Sequence, residues 1–218
     1  MTTLTSARHN TKQLFIIDKN VDGWRDFVNN AGIGVSVLIL DPSQNGLTQI
    51  ADAITAYSYS NLDAIHILSH GNVASLQLGS ATLNSDNLNH YTEQLTTIGN
   101  ALNENGDLLL YGCDVAQGET GKQFIQALAQ ITGADVAASD DLTGNAALGG
   151  DSILEVSTGS IEANSYNLQS YQGVLRDYSL DYLLAEMSLL AYHDDPTDPR
   201  KFFGTIVDTV AFNRFAAK

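Results

Sequence analysis

The stretch LDAIHILSHG, residues 62–71, carries the reading of the fold. It is apolar at most positions up to Leu68 and then breaks into Ser69, His70 and Gly71, where the chain must turn. A strand with one wet face alternates apolar and polar residues, whereas a strand covered on both faces does not. The run therefore predicts an inner strand of a parallel sheet. LFIID (14–18), VSVLILD (35–41), DLLLYGCD (107–114) and ADVAASD (134–140) have the same texture. Helix-like stretches separate them: VDGWRDFVNNAG, GLTQIADAITAYS, SDNLNHYTEQLTTIGNALNENG and GETGKQFIQALAQITG. In the third of these, Ser85 is expected to cap the start and Gly106 the end. Strands alternating with helices predict an α/β three-layer sandwich with a mostly parallel sheet. SLQLGSATL predicts an accessory hairpin, and GGDSILEVSTGSIEA a terminal antiparallel pair.

The 218 residues are 44% hydrophobic, enough for one domain with a core of its own and a modest appendage. The texture changes near residues 172–178, where DYSLDYLLAEMSLLAYHDD begins a long amphipathic stretch. The expected organisation is a flexible start at 1–13, a domain at 14–175, and a linker with a helical appendage at 176–218. A single cysteine excludes an internal disulfide framework. The first residues lack the apolar core of a secretory signal, and no run reaches the roughly 18 apolar residues of a membrane span. The expectation is a soluble chain, cytoplasmic or exported without an N-terminal signal. The formal charge of −15, from 25 acidic and 10 basic side chains, disfavours nucleic acid and anionic membranes and favours cationic partners. The same charge also serves solubility alone.

In open parallel sheets ligands lie beyond the carboxyl ends of the strands, where strand order reverses. His70 and Gly71 end the third run, and Gly112 and Cys113 end the fourth. Adjacent strands would thus bring an imidazole and a thiol to one rim. Imidazole can take the thiol proton, and the thiolate attacks carbonyl carbon. The amides of Gly71 and Cys113 could bind the oxyanion that forms. Set against this, a lone cysteine is commonly a packing residue. His66 falls inside the apolar strand and reads as a core histidine bonded to a neighbour. Asp114 would oppose a thiolate if it pointed inward, although alternation along a strand would turn it away.

The order of HILSHG and then LLLYGCDVAQG resembles the caspase and gingipain group of cysteine peptidases, with the caspase-hemoglobinase fold. More closely, residues 14–175 resemble a bacterial domain of unassigned function from large surface and secreted proteins, through HILSHG, YGCDVA, ASDDLTG and LGGDSILEV. The peptidase resemblance implies a catalytic dyad of His70 and Cys113, with Gly71 as an oxyanion donor. The caspase pentapeptide around the cysteine is absent, so aspartate specificity is not implied. The first strand of that fold contributes to the substrate pocket, and here it ends in Asp18; the fifth run leads into Asp140 and Asp141. An acidic rim would pair with Arg or Lys of a substrate. Turn capping is the other reading of Asp140 and Asp141, and a calcium loop in DKNVDG the other reading of Asp18. No metal or cofactor is expected.

The stretch DYLLAEMSLLAYHDD resembles the opening helix of class 3 lipases, but no GxSxG elbow follows it. Arg176 lies where a linker is expected, so cleavage between Arg176 and Asp177 would free a downstream effector. The leading expectation is a cysteine endopeptidase that processes its own chain after a basic residue. The alternative is a catalytically silent interaction module of a large bacterial surface protein. An esterase rests on the tail alone.

Overall fold

A computed structural model of the chain describes residues 3–5, 12–29, 34–168 and 171–176. Residues 1–176 form one compact unit. The expected helical appendage lies, from Asp177 onward, outside the described residues, as does Asp177 itself.

The apolar runs become five parallel strands: β2 (Gln13–Asp18), β3 (Val35–Leu40), β4 (Leu62–Leu68), β8 (Leu102–Leu110) and β9 (Asp135–Ala138). Short antiparallel strands border them, β1 (Thr3–Thr5) on β3 and β10 (Val156–Ser157) on β9. The seven-stranded sheet has the order β1-β3-β2-β4-β8-β9-β10. A second sheet holds β5 (Gly71–Asn72), β6 (Ser75–Leu78) and β7 (Ala81–Asn84), the expected hairpin with one strand added.

Handedness decides which face each helix covers. Three connections move across the sheet in one direction: β3 to β4 through α2 (Gly46–Tyr57), β4 to β8 through α3 (Thr92–Asn100), and β8 to β9 through α4 (Gly118–Thr132). Right-handed crossovers then put all three on the same face. There Ile50, Leu95, Ile98, Phe124 and Leu128 pack with Ile16, Ile65 and Leu110 in one cluster. Only β2 to β3 runs the other way, so α1 (Trp24–Asn29) falls on the opposite face. That helix has six residues and buries Phe27. The rest of this face is sealed by the returning chain, with Leu168, Tyr171 and Leu175 packed among Phe15, Leu68, Leu109 and Tyr111. Burying one such side chain contributes about 1.5–3 kcal/mol.

Several local expectations change. The third helix ends at Asn100, not at Gly106. The amide of Leu62 takes the Ala101 carbonyl, which draws the chain into β8, and Gly106 lies within that strand. Ser85 does not cap it: Asn84 and Asn87 bond each other's backbone amides through their side chains, making a turn first. The terminal antiparallel pair is β10 against β9, rather than a hairpin within GGDSILEVSTGSIEA.

Candidate functional site

The rim predicted from strand ends exists. Ile67 of β4 pairs with Leu110 of β8, so His70 and Cys113 each follow three residues beyond a paired position. The backbones approach closely here. A Cβ on Gly71 would lie 2.8 Å from the Gly112 Cα and 2.9 Å from the Cys113 carbonyl oxygen, so glycine is required at this crossing.

Beyond Leu110 the chain leaves the strand, and Asp114 takes a left-handed backbone with φ of 61°. The alternation expected to turn Asp114 away from the cysteine therefore does not apply. Asp114 is buried, accepts from the Gln117 amide, and pairs with the Arg176 guanidinium at 2.8 Å. An acidic partner for Arg176 is present, and it is Asp114.

The amides of Gly71 and Cys113 both donate to the carbonyl oxygen of Leu175, at 2.9 and 3.1 Å. That carbonyl precedes Arg176 by one residue. The Leu175 amide donates to the Thr143 carbonyl at 2.8 Å, and Asn145 donates to the Gly173 carbonyl at 2.8 Å. Val174 bridges Gly144 in antiparallel sense, while Arg176 bridges Gly71 in parallel sense. Residues 173–176 thus lie as an added strand between the loop after β9 and the start of β5. Gly144, with φ of 141°, admits this strand, because a Cβ there would collide with the Gly173 carbonyl.

Cys113 is fully buried. Its Sγ accepts from the Thr143 amide at 3.2 Å and donates to the Thr143 carbonyl at 3.6 Å. Burial pushes the thiol up to about 12, opposed mainly by the Thr143 amide. The resting sulfur is a thiol. His70 Nε2 lies 3.3 Å from the Asn20 carbonyl. A carbonyl only accepts, so Nε2 donates this hydrogen bond.

Asp18 is 1% exposed. Its carboxylate accepts the amides of Asn20 and Gly79, tying the end of β2 to the β6–β7 turn. Burial raises its pKa, and the nearby His70 lowers it. Asp18 and a charged His70 therefore attract each other. Asp140 is half-buried, with its amide donating to Glu155 at 3.1 Å. Asp141 is exposed, and its carboxylate accepts from Ser139 at 3.3 Å. Asp141, Asp151 and Glu155 form the acidic group, among the described residues, whose oxygens lie within 4.8 Å of one another.

His66 is a core residue, as its place in the apolar run implied: its Nδ1 lies 3.1 Å from the Tyr111 hydroxyl. Burial lowers its pKa to about 3. Tyr111 in turn accepts from the Tyr166 amide at 2.7 Å, and Asp107 accepts from Glu162 and Ala163. These bonds lay the returning chain along the sheet toward the rim. Sequence reasoning missed Thr143 and Leu175. The one signal for Leu175 was the apolar pair in QGVLR, within a stretch read as a linker.

Among the described residues no helix is long and apolar enough to cross a membrane. No curated protein and no solved structure matches the chain. The family described as Domain of unknown function (DUF4347) matches residues 14–175, the span that carries the sheet, the rim and the returning strand, and the chain belongs to that family.

Proposed function

We propose that residues 14–175 form a cysteine endopeptidase of the caspase-hemoglobinase kind that acts on its own chain where the returning segment crosses the rim. The observation that carries this reading is the convergence of the Gly71 and Cys113 amides on one carbonyl oxygen. Two donors 2.9 and 3.1 Å from a carbonyl are what a tetrahedral oxyanion needs, and one of them is the amide of Cys113 itself. His70 is the base. Proton transfer from Cys113 must accompany attack, because a thiol pushed up to about 12 is scarcely ionised at neutral pH. Asp18 favours the imidazolium that forms. The substrate is a polypeptide, and cleavage would release or activate whatever follows the domain.

Incubating the full chain and measuring its intact mass tests this reading. Two fragments from wild type and none from Cys113→Ala or His70→Ala are expected. Fragments from Cys113→Ala at the wild-type rate would rule out the dyad. A second reading is a silent interaction module, favoured by the depth of Cys113 and its two bonds to Thr143. It predicts an uncut chain that no electrophilic peptide modifies.

A further inference from the structure

We infer that the bond this site cuts is Leu175–Arg176, and that the pocket before the cut selects an apolar residue, leucine, rather than a basic one. The inference rests on the peptidase reading and deepens it. It places the cut one residue upstream of the Arg176–Asp177 bond that the sequence suggests.

The carbonyl held by the amides of an acyl-transfer site is the one under attack. Here it belongs to Leu175. The flanking bonds hold the peptide in the extended form that attack requires: Leu175 N–H on Thr143, Gly173 C=O on Asn145. The Leu175 side chain is fully buried, in a cluster with Leu68, Tyr111, Cys113 and Tyr171. A guanidinium in that position would lose its hydration among apolar groups. Arg176 instead follows the cut, with its guanidinium on Asp114. That ion pair anchors the leaving side of the bond.

The step balances with water alone. The Cys113 proton passes to His70, and sulfur bonds to the Leu175 carbonyl carbon. The Leu175–Arg176 C–N bond breaks, and the proton leaves on the new Arg176 amine. Water then cleaves the thioester, giving a chain that ends in the Leu175 carboxylate and a restored thiol.

The test is terminal mapping of the products of the full chain. A fragment ending at Leu175 and a new N-terminus at Arg176 are expected. Arg176→Gln should cut at the same bond, at most about tenfold slower, because it loses only one partly exposed ion pair. Leu175→Met should still cut, and Leu175→Asp should be slower by at least about a hundredfold. A new N-terminus at Asp177, or loss of all cleavage in Arg176→Gln, overturns the inference while leaving the peptidase standing. If wild type stays uncut, YQGVL and QGVLR acyloxymethyl ketones are offered to it in sub-denaturing urea. Preferential capture of the leucine-ended probe at Cys113 supports the inference, and preference for the arginine-ended probe overturns it. Capture of neither removes the peptidase reading and this inference with it.

Discussion

The two faces of the sheet are sealed by different means. On one, α2, α3 and α4 present Ile50, Leu95, Ile98, Phe124 and Leu128, and each helix satisfies its own backbone. On the other, six residues of α1 and an irregular return through Leu168, Tyr171 and Leu175 do the covering. The return takes its backbone bonds from Gly71, Cys113, Thr143 and Asn145, which are the residues of the rim. One stretch of chain is therefore both the cover of a core and an added strand across the rim. Cutting it leaves the helix-covered core whole.

The largest expected effect lies on the helix face. Phe124 is 1% exposed, and Phe124→Ala should cost about 3–5 kcal/mol in urea unfolding. A loss under about 1 kcal/mol would deny that α4 anchors that face. The covered face should instead answer to acid. His66 has a folded pKa near 3 against an ordinary 6.5, so the unfolded chain binds the proton first as pH falls. Stability is full above pH 6.5 and declines between 6.5 and 3, by up to roughly 5 kcal/mol. Unfolding free energies across that range check this, and a His66→Gln chain with the same slope would contradict it.

Leu175→Ala sharpens the contrast between the faces. Although Leu175 is 0% exposed, its loss should cost about 2 kcal/mol, at the low end for a buried leucine, because a separate strand can shift to close the gap. A cost equal to that of Phe124→Ala would make the two faces alike. The smallest change is expected of Asp114→Asn, since asparagine tolerates the left-handed backbone and keeps the shape. It should weaken the hold on Arg176 by about 1 kcal/mol, read as a few-fold slower cleavage. Unchanged cleavage would show that the ion pair does not hold the leaving side.

Burial on both faces erases alternation, so the five inner strands were legible as unbroken apolar runs. His70 and Cys113 were legible together because parallel strands with helices between them deliver their ends to one rim. The helix boundary at Asn100 was not. A bond from Leu62, far back in the sequence, decides where that helix gives way to β8. The pairing of Arg176 with Asp114 was not legible either, because Asp114 was read as part of a strand when it sits in a left-handed turn.

By itself, then, the amino-acid order determined the element sequence, the parallel core and the neighbouring strands that end before His70 and Cys113. These follow from local periodicity and from the handedness of crossovers, which need no knowledge of distant contacts. Only the tertiary structure decided that Leu175, and not Arg176, presents its carbonyl to Gly71 and Cys113. Backbone carbonyls look alike in a sequence, and which one meets a given pair of amides depends on the path of a chain returning from more than sixty residues away.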